Sequence, residues 1–239
     1  MPSSYGLKVI KSGNVIEVYD YQKPVIFGYA DNRKIEGKKG RQVKANKDNI
    51  EKNREQVLGR ARRDLRRIVN SNVEKNSKFL TLTFAENLQD IEKGNKEFML
   101  FIKRLSYHLG FKVQYSAVIE FQERGAIHYH VILYNCVKRL KVKEIEQIWG
   151  NGFIHLNRIN NVDNVGAYIC KYMTKCEDEK KLRGKKIYFN SRGLKKPEEI
   201  KNPGIAKTIV DSLSNQEPKY AKIFENEYNK INYKQYIIK

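Results

Sequence analysis

The 239-residue chain predicts an α+β fold, a ferredoxin- or RRM-like antiparallel sheet with helices packed on it. Three observations carry this. Between residues 78 and 176 the patterning reads β-α-β-β-α-β-α. Two of the strands, 112–122 and 126–134, are joined by a turn so short that they must run antiparallel. The helical stretches carry one apolar stripe each, as a helix covering one sheet face requires.

Taken in order, residues 7–27 alternate in short bursts (GNVIEVYDY, KPVIFGY) and predict a hairpin or an ordered arm. Residues 30–53 are almost all polar, include KIEGKKGRQVK, and read as a linker or basic loop. REQVLGRARRDLRRIVN at 54–70 predicts a helix, with Val57, Leu58, Ala61, Leu65 and Ile68 on one stripe. Arg60, Arg63, Arg66 and Arg67 line much of the rest. KFLTLTFAE at 78–86 is a β-rich run. Residues 94–109 place Phe98, Phe101, Ile102, Leu105 and Leu109 on one helix face. After the two strands come a short helix at 141–149, ending at the single Trp149, and a strand at 152–156. Residues 162–176 predict a helix capped by Asn161 or Asp163. Beyond Gly184 the chain turns basic (KKIYFNSRGLKKP), and the polar last forty residues suggest a helix near 218–230. The organisation expected is an arm and basic linker over 1–53, a central domain over 54–196 and a C-terminal tail over 197–239.

Charge narrows the function. Forty-seven Lys and Arg against 27 Asp and Glu give +20, which favours a polyanionic partner because neutralised phosphates release counterions. An apolar content of 40% excludes wholesale disorder. No apolar run reaches the ~18 residues of a membrane span, and no GxxxxGK[ST] loop marks an NTPase. Cys136, Cys170 and Cys176 form no CxxC pair and no signal-peptide pattern is evident, so a cytoplasmic protein with inert, reduced thiols and no membrane partner is expected.

The chemistry concentrates in VIEFQERGAIHYHVILYN, residues 118–135. Strand alternation puts His128 and His130 on one face, with Tyr129 and Val131 on the other. If Glu123-Arg124-Gly125 is a three-residue loop, Gly125 takes the left-handed position that glycine suits. Gln122 then opposes Ala126, Glu120 opposes His128, and Val118 opposes His130. One carboxylate and two imidazoles converge, a donor set suited to Mn²⁺ or Mg²⁺ and tolerable for Zn²⁺. A two-residue loop would send Glu120 to the far side, and an HxH pair by itself also fits a polar strand face. In VGAYICKYMTK, residues 165–175, Tyr168 and Tyr172 share a helix face, with Lys175 continuing it and Lys171 beside it. A lysine or a metal can stabilise a phenolate, but two tyrosines at this spacing can equally be a packing pair.

Together FLTLTF (79–84), GAIHYHVIL (125–133) and GAYICKYMTK (166–175) resemble, in order and spacing, the three motifs of the HUH endonucleases. The likeness is greatest to rolling-circle replication initiators of small plasmids and single-stranded DNA phages. It covers about 60–195, is weak over 1–50 and is absent over 205–239. The resemblance implies the HUH endonuclease fold, with metal ligands His128, His130 and Glu120, and Gln122 as the fallback ligand. Tyr172 first and Tyr168 second would be paired nucleophiles of the two-tyrosine branch, with Lys171 and Lys175 beside them. A tyrosine between the histidines departs from the family's bulky apolar residue but fills the same position.

The activity implied is metal-dependent nicking and joining of single-stranded or hairpin origin DNA, with Mg²⁺ or Mn²⁺ as cofactor and a host helicase and DNA polymerase as partners. DNA phosphate contacts are expected from Arg60, Arg63, Arg66 and Arg67 and from Lys185, Lys186 and Arg192. A single-strand transposase shares these motifs. A relaxase usually places its tyrosine before the histidines, and a non-catalytic binding module would show no metal dependence. FLTLTF is expected to be a core strand beneath the site without chemistry, His155 to face the sheet's other side, and His108 to be a cation near a helix end.

Overall fold

The computed structural model describes residues 3–28, 47–135, 141–159, 163–173, 182 and 185–238; of residues 47–51 only the backbone helix is described. Most of the basic stretch expected over 30–53 lies outside these, as do Asn161, Lys175, Cys136 and Cys176. The fold is α+β, and the described residues form two five-stranded antiparallel sheets. The chain divides into two compact units, Met1–Ala61 with Pro197–Lys239, and Arg62–Lys196.

The strands are β1 (Ser3–Ser12), β2 (Val15–Phe27), β3 (Lys78–Thr83), β4 (Tyr115–Phe121), β5 (Ile127–Leu133), β6 (Ile154–Arg158), β7 (Tyr188–Asn190), β8 (Glu198–Ile200), β9 (Tyr220–Glu225) and β10 (Lys230–Ile237). The helices are α1 (Lys47–Asn72), α2 (Ile91–Leu109), α3 (Val142–Trp149), α4 (Val165–Cys170), which continues as a 3₁₀ turn over Lys171–Met173, and α5 (Pro203–Ser212). Among the described residues no helix is long and apolar enough to cross a membrane.

The 62–196 unit holds the sheet β6-β3-β5-β4-β7. Leu80, Leu82, Ala117, Ile119, Phe121, Ile127, Tyr129, Val131 and Leu133 fill one face and pack with Phe98, Phe101 and Leu105 of α2 and Ile145 and Trp149 of α3. Each of the Leu, Ile, Val and Phe side chains contributes about 1.5–3 kcal/mol by leaving water. Asp90 starts α2 by accepting from the Glu92 and Lys93 amides, and Gly110 ends it at φ 76°. Trp149 donates its indole N–H to the Thr83 carbonyl at 3.0 Å, which pins α3 to the end of β3.

The other unit holds the sheet β8-β1-β2-β10-β9. Helix α5 packs on one face through Ala206 and Leu213 against Val9, Ile16, Val18 and Tyr236. Residues near the two ends of the chain thus share a sheet, β1 pairing with β8 and β2 with β10.

Three expectations are corrected here. The helix near 218–230 is instead the β9–β10 hairpin. Its loop is tied by Asn226, whose side chain accepts from the Tyr228 and Asn229 amides. The period of two in Tyr220, Lys222 and Phe224 wins over helical propensity because β10 is paired on both sides. The cap of α4 is Asn164, accepting from the Ala167 amide at 2.9 Å, rather than Asp163. His155 lies on the same sheet face as His130, since both oppose Thr81 in the ladders.

Candidate metal and tyrosine site

The turn after β4 sets the geometry. Gly125 has φ 86°, the Gln122 amide bonds the Ala126 carbonyl at 2.9 Å, and the Gly125 amide bonds the Gln122 carbonyl at 2.7 Å. A side chain at 125 would be strained in this left-handed conformation. The pairs that follow are Glu120 with His128 and Val118 with His130. Directly opposed residues share a face, so the three donors converge.

The ligand atoms of Glu120, His128 and His130 all lie within 4.8 Å of one another. His130 Nε2 is 2.6 Å from Glu120 Oε2, and His130 Nδ1 is 3.2 Å from the Thr81 hydroxyl. The Thr81 hydroxyl both donates and accepts, so it can serve either tautomer of His130. When Nε2 offers its lone pair, Nδ1–H donates to Thr81, the outer-shell arrangement that orients metal-bound histidines. Burial, reinforced by the neighbouring His130, pushes the His128 pKa down to about 4, so its ring is neutral at ordinary pH. His128 Nε2 is buried with no hydrogen-bond partner among the described residues. An orphaned imidazole nitrogen beside a carboxylate and a second imidazole fits a divalent cation well. An open depression of about 530 Å³, lined by Glu120, Gln122, Glu123, Arg124 and His128, leads to these donors.

The tyrosines are placed by α1. The Asn70 side chain accepts from the Gly166 amide at 2.8 Å and donates to the Asn164 side chain at 2.9 Å. Gly166 sits so close to α1 that a Cβ there would be 2.2 Å from the Arg66 carbonyl oxygen. Val165, Ile169 and Met173 are buried, which leaves Tyr168 and Tyr172 on the remaining face. The Tyr172 ring stacks on His130 with centroids 3.8 Å apart and planes 23° apart. Its hydroxyl donates to that of Tyr168 at 3.1 Å. Burial first, then the Tyr168 hydroxyl and the Glu120 charge, pushes the Tyr172 phenol up to about 12. Lys171 Nζ lies 5.8 Å from the Tyr168 ring centroid.

Sequence reasoning missed two residues. Phe79 and Thr81 were expected to be core without chemistry, yet both face the site. The Phe79 ring lies 5.2 Å from Tyr168, 5.8 Å from Tyr172 and 5.8 Å from His130. Alternation along FLTLTF did mark them, since Phe79, Thr81 and Thr83 share a face opposite to Leu80 and Leu82. Local patterning put the strand beneath the site without showing that its side chains reach the histidines and tyrosines.

Arg60 and Arg63 are exposed on α1 and Arg66 and Arg67 half-buried. Lys185, Lys186 and Arg192 are exposed, and Lys185 reaches Glu92 at 3.4 Å. His108 ends α2 and lies 3.6 Å from Glu144. Cys170 donates to the Arg62 carbonyl at 3.4 Å, and burial pushes its thiol up to about 11.

Residues 77–177, which contain the donor cluster and both tyrosines, match the family of the replication-associated protein ORF2/G2P. Neither the curated proteins nor the solved structures contain a significant match to the chain.

Proposed function

We propose that the chain initiates rolling-circle replication by nicking and rejoining single-stranded DNA through a 5′-phosphotyrosine, with the chemistry of the two-tyrosine HUH endonucleases. The observation that carries this is the 3.8 Å stack of Tyr172 on His130, which sets a candidate nucleophile beside three convergent metal donors. Similarity of residues 77–177 to a replication-associated family supports it.

Glu120, His128 and His130 hold the cation. When bound, Mg²⁺ or Mn²⁺ supplies Lewis-acid polarisation of the scissile phosphate. Tyr172 attacks phosphorus in line: its Oη–P bond forms, the P–O3′ bond breaks, and the phenolic proton is lost as the 3′-oxygen gains one. A phenol near 12 is a weak nucleophile until that proton goes; the ammonium of Lys171, 5.8 Å from the Tyr168 ring centroid, is a nearby cation that can stabilise a phenolate of the pair. No water enters, so the phosphodiester energy is kept and the ends can be rejoined. Tyr168, within hydrogen-bond reach of Tyr172, takes the second cleavage after one round of copying. The 3′-hydroxyl primes a host polymerase, and a host helicase opens the duplex.

The test uses end-labelled single-stranded oligonucleotides, including DNA flanking the gene, with Mn²⁺ and a denaturing gel. Wild type forms a covalent adduct that EDTA abolishes. Tyr172→Phe, which keeps the ring stack, removes most of it, and the double variant with Tyr168→Phe removes all of it. Metal-independent binding with no adduct on any sequence would sink the proposal in favour of a binding module.

A further inference from the structure

The sheet β8-β1-β2-β10-β9 has a second face, turned away from α5. The ladders put Lys8, Tyr19, Tyr233 and Lys222 in one cross-strand row on that face. Gln235 with Tyr220, and Ile231 with Phe224, form the rows on either side. The rings make one cluster around Tyr233, which lies 4.9 Å from Tyr19, 6.0 Å from Tyr220 and 6.0 Å from Phe224. Tyr233 is only 5% exposed, but the outer rings are not covered: Tyr220 is 50% exposed and Phe224 44%. They stand on β9, a strand exposed at all six positions.

Lysines accompany the rings. Lys222 Nζ is 5.3 Å from the Phe224 centroid, and Lys8 Nζ is 4.7 Å from the Tyr19 centroid. The carboxylates of this face are engaged. Glu17 is buried and accepts from Tyr233 at 2.8 Å and Tyr19 at 3.3 Å, while Glu199 pairs with Lys8 and Lys201. Half-exposed rings braced from below, with ammonium groups beside them, suit a polymer of flat bases and phosphates. A purely apolar partner would leave the lysines desolvated.

We propose that this tyrosine–lysine face, presented by Tyr220, Phe224 and Lys222, is a second single-stranded DNA surface, built from residues other than those of the metal and tyrosine site. Tyr220 and Phe224 are four residues apart on one strand, roughly 13 Å, so they take two bases with room for a nucleotide between. Lys222, midway between them, takes a phosphate. The inference rests on the proposed function only for its choice of single-stranded DNA.

The experiment uses the full chain in EDTA, so that no metal chemistry contributes. Single-stranded DNA carrying 5-iododeoxyuridine is photocrosslinked and the adducts mapped by peptide. Crosslinks are expected on the peptides holding Tyr220 and Phe224. By fluorescence anisotropy, Tyr220→Ala with Phe224→Ala weakens DNA binding by about tenfold per ring or more, whereas Tyr220→Phe binds as wild type. Lys222→Glu weakens binding and lowers the salt slope by about one or more, and keeps the test decisive if the double variant does not fold. Crosslinks confined to 62–196 with unchanged affinity in the variants would overturn the proposal, as would preference for RNA of the same sequence. Loss of the Mn²⁺-dependent adduct with these crosslinks intact would instead sink the nuclease reading alone.

Discussion

Gly166→Ala tests how the tyrosines are held. Alanine is the better helix former by about 0.8–1 kcal/mol, so propensity alone predicts a gain in stability. The structure predicts the reverse. A Cβ at 166 would lie 2.2 Å from the Arg66 carbonyl oxygen and 2.8 Å from Arg66 Cα, where ordinary contact begins near 3.4 Å. Both atoms are backbone of α1, so α4 must withdraw by about 1 Å, and the Asn70 bond to the Gly166 amide stretches with it. Overpacking of this kind costs about 1–3 kcal/mol. For a chain of this size each kcal/mol lowers Tm by about 2–4 °C. The larger effect is on chemistry, because ~1 Å of misplacement costs on the order of 10²-fold in rate. Scanning fluorimetry reads the first effect, and single-turnover nicking at saturating DNA and Mn²⁺ reads the second. A variant as stable as wild type that nicks at the wild-type rate would refute the close α1–α4 packing and its role in aiming Tyr168 and Tyr172.

Other substitutions probe the metal donors and the core helix. Thr81→Val removes the hydroxyl at His130 Nδ1 while keeping shape, and should weaken Mn²⁺ binding about 10–100-fold by titration calorimetry, whereas Thr81→Ser keeps it. Glu120→Ala and His128→Ala should each abolish measurable Mn²⁺ binding without loss of the folded circular dichroism spectrum; retention of stoichiometric binding in either would exclude that residue as a ligand. Asp90 has its pKa held below its ordinary value of 3.8, chiefly by the Lys93 and Glu92 amides. The carboxylate's contribution is therefore present above pH 3.8 and lost as pH falls through the lower, folded value. The Tm gap between wild type and Asp90→Ala should be constant above about pH 5 and shrink in acid, and a gap that grows in acid would contradict the cap.

Much of the site was legible in the sequence because local chemistry wrote it. Gly125 at the third loop position selected the three-residue turn, and that turn alone aligned Glu120 with His128. The spacing of Tyr168 and Tyr172 put them on one face even though the α-helix tightens to a 3₁₀ turn at Lys171. The cap of α4 is one feature that a contact with a distant segment settles. Asn164 is the cap of α4, rather than Asp163, because its side chain also bonds Asn70, ninety-four residues away.

Composition, alternation and turn residues determined the α+β class, the basic charge, the histidine–carboxylate cluster and the tyrosine pair, since each depends on neighbours a few residues apart. Tertiary structure alone decided that β3 lies between β5 and β6, which brings Thr81 to His130 and puts His155 on the site face. It alone decided that Tyr172 stacks on His130, and that the polar C-terminal segment is a hairpin completing a sheet with β1 and β2. Strand order and helix docking are chosen by burial and hydrogen bonding between distant segments. Local patterning marks which face of a strand is apolar, but it does not say which strand will lie beside it.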